Sequence, residues 1–296
     1  MSPAVRDETK MQTRPDSRLE ARGVRLGYGD RTVVDHLDLA IPSGRTTVLV
    51  GANACGKSTT LRALARLLRP EGGEVLLDGA AIHRRPAREV ARTLGLLPQS
   101  PAAPAGIAVA DLVAYGRSPH QPWWRRWSAE DDDAVAEALE LTGTSALADR
   151  PVDELSGGQR QRVWIAMALA QQTDLLLLDE PTTYLDLAHQ IEVLDLLREL
   201  NRARGTTVVM VLHDLHHAAR YADHLVAMRD GAITAAGPPA EVVTEQLVAE
   251  VFGLRSMVVT DPVTGTPLVL PVGRHDRAPA RAAVVPGTDE PAGACL

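Results

Sequence analysis

Thr46-Thr-Val-Leu-Val-Gly-Ala-Asn-Ala-Cys-Gly-Lys-Ser-Thr59 is the stretch on which the fold turns. Thr46–Val50 is a β-branched run of strand length, and a helical stretch follows from Lys57 to Leu68. Between them Gly51–Thr59 fits the spacing G-x-x-x-x-G-K-[ST]. A strand that feeds a glycine-rich turn and then a helix is the context a phosphate loop needs. Backbone N–H groups of the loop and helix start can surround phosphate oxygens, Lys57 can reach the β/γ-phosphates, and the Ser58 hydroxyl can ligate Mg²⁺.

Outward from that stretch, strands and helices alternate, which predicts an α/β chain with a largely parallel sheet flanked by helices. Leu175–Leu178 and Thr206–Leu212 are short apolar runs that read as buried strands. Gly23–Tyr28 and Asp35–Ile41 are short and alternating with Gly-Asp between them, which predicts an antiparallel pair, and Gly72–Gly79 reads as a hairpin strand. A helical subdomain is expected over about 100–172. Its composition differs most between Ser100 and Arg150, with a Pro/Ala loop, three of the four tryptophans and the acidic helix SAEDDDAVAEALEL. Residues 1–18 read as a loose leader and 274–296, rich in Pro, Ala and Gly, as a tail.

The 296 residues carry Lys+Arg 31 against Asp+Glu 38, a net charge of −7, which argues against nucleic acid as a partner. Apolar residues at 45% and charged residues at 23% exclude wholesale disorder. Aromatics are scarce at 3%, so each is worth locating. Cys55 and Cys295 make no disulfide framework and fit a reducing compartment. No apolar run approaches the ~18–20 residues that cross a bilayer. The N-terminus carries charges where a secretory signal needs an apolar region. The expectation is a cytoplasmic chain that a partner holds at any membrane it serves.

Two further motifs complete the chemistry. Asp179-Glu180 ends the leucine run, where one carboxylate can hold Mg²⁺ and its neighbour can orient the attacking water. Leu155-Ser-Gly-Gly-Gln-Arg160 precedes the helical run QRVWIAMALA, so it makes a second helix start suited to a phosphate. A second such end makes sense if it serves a different molecule's ATP.

With these motifs in order, residues 19–273 resemble the ATP-binding subunit of an ABC transporter. The resemblance implies a P-loop NTPase cassette with a RecA-like core, an antiparallel β subdomain and an inserted helical subdomain. It adds a glutamine loop at Gln99, a D-loop at Tyr184-Leu185-Asp186, a switch histidine at His213, and Tyr28 as the aromatic that stacks on adenine. It implies two copies paired head to tail. ATP would lie between Gly51, Asn53, Ala54, Cys55, Gly56, Lys57, Ser58 and Thr59 of one copy and Ser156, Gly157, Gly158 and Gln159 of the other, with Asp186 nearby. Glu180 would be the general base, His213 would hold the γ-phosphate, and Ser58, Gln99 and Asp179 would serve Mg²⁺. Ala54 departs from the family, which usually has Gly there, and an Ala would resist positive φ. Cys55 reads as a small loop residue.

Gly116-Arg-Ser-Pro-His-Gln-Pro-Trp-Trp-Arg-Arg-Trp127 reads as an aromatic and basic surface for gripping a partner, or as anchors of the subdomain's own core. The GR-x-PHQ motif and the late hairpin DPVTGTPLVLPVGRH are similar to importers of ferric siderophores and their haem and cobalamin relatives. The resemblance implies separate transmembrane permease subunits and, indirectly, an extracytoplasmic substrate-binding protein. A soluble cassette ATPase outside transport is the alternative. His213, His216 and His217 fit one switch residue plus exposed histidines opening a helix better than a metal site, and Asp261–Gly265 reads as a turn.

Overall fold

The computed structural model describes residues 17–121, 127–183 and 185–273. The leader over 1–16, the tail over 274–296, Trp123, Trp124 and Tyr184 lie outside the described residues. The chain begins with β1 (Ser17–Tyr28), β2 (Arg31–Pro42), β3 (Thr46–Gly51), α1 (Lys57–Leu64), β4 (Gly72–Leu77), β5 (Ala80–Ala81), α2 (Ala87–Thr93) and β6 (Leu94–Leu97). Helices α3 (Val109–Ala114), α4 (Ala129–Leu141) and α5 (Gly157–Ala170) follow. Then come β7 (Leu175–Asp179), α6 (Leu187–Arg204), β8 (Thr207–Val211), α7 (Leu215–Tyr221), β9 (His224–Arg229) and β10 (Ala232–Gly237). The last elements are α8 (Pro239–Val242), α9 (Glu245–Phe252), β11 (Ser256–Thr260) and β12 (Pro267–Pro271).

The central sheet has the order β10-β9-β3-β8-β7-β6, parallel from β9 to β6, with β10 antiparallel at one edge. Its inner strands β3, β7 and β8 are buried at every position because both faces are covered. Leu175, Leu177, Val209 and Val211 join the apolar cluster under β1, β2 and α1, whereas Leu176, Leu178, Val208 and Met210 join the one under α5 and α6. The antiparallel sheet β2-β1-β4-β5 lies on the first cluster, and the helices between β6 and β7 lie on the second.

Three local expectations change. β1 begins at Ser17, inside the stretch read as leader, because Arg18 bridges Asp78 and Asp174. Strands β1 and β2 run longer than their alternation because a bulge at Gly23 breaks the period while the ladder continues, and Gly29-Asp30 closes the hairpin between Tyr28 and Arg31. Helix α1 ends at Leu64, not Leu68, because Arg66 takes a left-handed φ of 65° and its guanidinium donates to Ile82 O and Arg85 O. The late hairpin is β11–β12, packed on α7 and α9, with Asp261 accepting from Val263 N and Thr264 Oγ1 in the turn that was expected there.

Candidate functional site

The phosphate loop leaves the sheet at Gly51, where no other residue fits. Its φ is 152° and a Cβ would lie 2.2 Å from Met228 O, at the end of the neighbouring strand β9. Gly56, at φ 106°, caps α1 and would press a Cβ to within 2.8 Å of Val34 Cγ2. Between them Ala54 sits at φ 61°, so the Cβ that departs from the family pattern is held in the left-handed region. Lys57 is buried, and its Nζ donates to Gly51 O and Ala52 O at 2.9 Å each, which curls the loop around the ammonium. Cys55 is buried against the loop base, its Sγ 3.9 Å from Lys57 Nζ.

Asp179 ends β7 beneath this loop. Its Oδ1 accepts from Ser58 Oγ at 2.7 Å, while Oδ2 is buried with no hydrogen-bond partner. Burial pushes its carboxyl above the usual range, opposed by the Ser58 hydrogen bond and reinforced by the charge of Glu180. An orphaned buried carboxylate oxygen on a group that also accepts from a hydroxyl offers hard oxygen donors, which fit a magnesium-like cation.

Glu180 follows at φ 55°, a left-handed turn that swings its side chain off the strand end. Three groups converge on its carboxylate. Gln99 Nε2 donates to Oε2 at 2.8 Å, Thr183 Oγ1 donates to the same oxygen at 3.1 Å, and His213 Nε2 lies 2.6 Å from Oε1. Gln99 comes from beyond β6 and His213 from beyond β8, so the parallel order β8-β7-β6 is what brings the three together.

The phosphate loop, Gln99, Glu180 and His213 line a cleft of about 960 Å³ with Tyr28. Tyr28 is 48% exposed, and its hydroxyl accepts from Arg62 Nη1 at 3.4 Å. The same cleft holds Arg31, Val33 and Phe252, which the sequence reading did not single out. Phe252 is the chain's single phenylalanine, so its rarity was the available signal.

Ser156, Gly157, Gly158, Gln159 and Asp186 do not line this cleft. Ser156 caps α5 in a reciprocal box, accepting from Gln159 N at 3.3 Å while its own N–H donates to Gln159 Oε1 at 3.2 Å. The first-turn N–H groups of Gly157 and Gly158 have no intrahelical acceptor, which leaves them for an outside anion. Asp186 caps α6 by accepting from His189 N, a bond that holds its carboxyl below the usual range, and His189 lies beside Gly158.

Two expectations are corrected here. His217 is buried, not exposed: burial holds its imidazole below the usual value against the pull of Asp214. Arg117, read as part of a basic surface, is buried at 5% exposure on Asp131; Trp127, at the other end of that stretch, is 43% exposed and donates to Asp132.

Residues 34–183 match the family model described as ABC transporter. The chain is 54% identical over 258 residues to the ferric enterobactin transport ATP-binding protein FepC of Escherichia coli (strain K12), covering 87% of this chain and 95% of that one. It is 56% identical over 257 residues to the achromobactin transport ATP-binding protein CbrD of Dickeya dadantii (strain 3937), covering 87% and 96%. Among solved structures, the dimeric structure of MJ0796, a bacterial ABC transporter cassette, superposes with a TM-score of 0.67 at 26% identity, covering 74% of this chain and 98% of that one.

Proposed function

The chain belongs to the ABC transporter family, and we propose that this ATPase drives import of an iron(III)-siderophore complex through separate permease subunits. The single observation that carries the reading is the division of the phosphate-facing groups. One cleft gathers the phosphate loop, Glu180, Gln99 and His213, while the α5 start lies outside it.

A second copy, related by a two-fold axis, supplies the missing start. ATP binds with its base against Tyr28 and its phosphates in Gly51–Thr59. Lys57 leaves the loop carbonyls for the β/γ-phosphates. Ser156 and Gly158 of the second copy then close over the γ-phosphate, and charge-assisted bonds of that kind contribute about 1.5–3 kcal/mol each. Ser58 and Asp179, with Gln99, would hold magnesium, which would neutralise phosphate charge. The unpartnered Oδ2 of Asp179 supports this role.

Glu180 takes the proton of the attacking water. Gln99, Thr183 and His213 orient its carboxylate, and His213 also holds the γ-phosphate. Hydrolysis removes the phosphate bridge between the copies and the pair opens. Among the described residues no helix is long and apolar enough to cross a membrane; in this reading the permease subunits hold the ATPase at the cytoplasmic face. An extracytoplasmic binding protein chooses the cargo.

The test separates the two halves of the reading. Glu180→Gln binds ATP, forms a dimer by light scattering and turns over ~10²–10⁴-fold more slowly. Brisk turnover, or a protomer that stays single at saturating ATP even with its permease, overturns the sandwich. Loss of ferric-siderophore uptake in a deletion strain, with haem uptake intact, supports the cargo; intact siderophore uptake overturns it.

A further inference from the structure

Nothing in the ATP chemistry uses Gly116-Arg-Ser-Pro-His-Gln121, yet the most buried ion pair among the described residues lies there. Gly116 lies so close to α5 that a Cβ would fall 2.2 Å from Met167 O. Arg117 Nε donates to Asp131 Oδ1 on α4 at 2.9 Å. Its Nη1 donates to Ala170 O at 2.9 Å and Gln172 Oε1 at 3.0 Å, at the C-terminal end of α5. His120 Nε2 donates to Gln171 O at 2.9 Å, the next carbonyl on. Asp131 is fully buried; its Oδ2 accepts from Gln121 Nε2 and from Ser128 N and Oγ.

The other side of the segment is tied to the core. Arg88 and Arg92 of α2 each donate through Nε to Pro119 O at 2.9 Å. Gln171 Nε2 donates back to Ala91 O and Leu94 O. Helix α2 runs directly into β6, and the chain beyond β6 carries Gln99. One six-residue segment therefore joins the end of α5, the start of α4 and the element that leads to the glutamine.

The geometry is that of a clamp on a lever. A guanidinium on the terminal carbonyls of α5 is favoured by the helix dipole and has a fixed fork geometry. The 14 residues of α5 place Ser156 about 20 Å from the clamped end, so a tilt of about 10° there moves the signature residues by about 3–4 Å. A shift of that size separates contact with a phosphate from no contact.

We propose that Gly116–Gln121 is a positioning bracket that sets the tilt of α5, and so the reach of Ser156 and Gly158 to the partner copy's γ-phosphate. It is a bracket with two sides: Arg117 grips α5 and α4, and Pro119 O is gripped by Arg88 and Arg92 from the core. Arg117 is a positioning residue and touches no nucleotide. The inference rests on the sandwich reading above.

The test uses the full chain with and without Glu180→Gln. Arg117→Ala attacks the buried side, and Arg88→Ala with Arg92→Ala attacks the core side without orphaning a buried charge. Both lower kcat, by ~10–100-fold for Arg117→Ala, and move ATP-dependent dimerisation in the Glu180→Gln background to higher ATP. Binding of a fluorescent ATP analogue to the single protomer stays within about twofold. Arg88→Lys with Arg92→Lys, which can still donate to Pro119 O, restores kcat. Should Arg117→Ala fail to fold, the Arg88/Arg92 pair decides. Folded variants with unchanged kcat and dimerisation overturn the bracket, as does analogue binding that weakens in step with kcat. A Glu180→Gln chain that itself forms no dimer overturns the sandwich reading and the bracket together.

Discussion

Two helix starts in this molecule are suited to phosphate, and they are finished to different degrees. Helix α1 opens on a loop that its own chain completes: Lys57 beneath it, Asp179 with one bare oxygen beside it, and Glu180 held by three donors. Helix α5 opens on Ser156–Gln159, where the cap is satisfied within its first turn and the cleft's acids are elsewhere. The first is strained, with Ala54 and Glu180 both at positive φ; the second is relaxed, with Ser156 at φ −61°. A fold can thus be complete while a site is not. Strain collects where one chain must force groups together, and an unstrained helix end would suffice for a ligand brought by a second copy.

The largest effect follows from that asymmetry. Lys57→Ala and Gly158→Glu each reduce turnover by ~10²–10³-fold, but only Lys57→Ala loses nucleotide binding in the single protomer. A side chain at Gly158 meets only ordinary contacts with Leu185 and His189, so Gly158→Glu folds and opposes the phosphate by charge. Mixed in equal amounts, the two variants regain turnover above the sum of each alone, because a mixed pair holds one intact cleft facing one intact α5 start. No recovery where the unmutated chain dimerises breaks the comparison.

Tyr28→Ala sharpens it at the cleft side alone. Loss of a base-stacking ring weakens ATP binding by about tenfold in calorimetry. Unchanged affinity removes Tyr28 from the site. Ala54→Gly is smaller: relief of the left-handed Cβ stabilises the chain by up to about 1 kcal/mol, partly offset by added freedom in the unfolded state. Thermal unfolding measures it, and a destabilised variant would mean that the loop depends on this Cβ.

The smallest effect lies in pH. Burial lowers the imidazoles of His120 and His217, with Arg117 and Arg92 adding to the effect at His120. The folded chain keeps both neutral, whereas the unfolded chain binds protons near the ordinary value of 6.5. Their contribution is therefore fully present above that value and is lost as pH falls through it toward the lowered folded values. The melting temperature declines from about pH 7 to about pH 5.5, and His120→Gln flattens part of that slope. An unaltered slope excludes His120 from it.

Much of the fold could be read from residue order. The apolar runs at Thr46–Val50 and Leu175–Leu178 mark buried strands because their periodicity is set by the neighbours they must satisfy on two faces. Arg117 was read as surface for the opposite reason. An arginine in a polar stretch looks like surface until Asp131 arrives from another helix to bury it. Phe252 shares the cleft with residues some 150–220 positions earlier in the chain, and no local pattern carries that information.

What the sequence determined by itself is whatever a few consecutive residues decide: a glycine-rich turn between strand and helix, a serine cap before α5, two acids at a strand end. These depend on backbone sterics and on hydrogen bonds within a turn or two. Tertiary structure alone decided that Gln99 and His213 meet on Glu180, that Arg117 is clamped rather than solvated, and that the starts of α1 and α5 stand apart. Those outcomes depend on the order of strands in the sheet and on which charges find partners once water is excluded. Both are set by contacts between residues far apart along the chain.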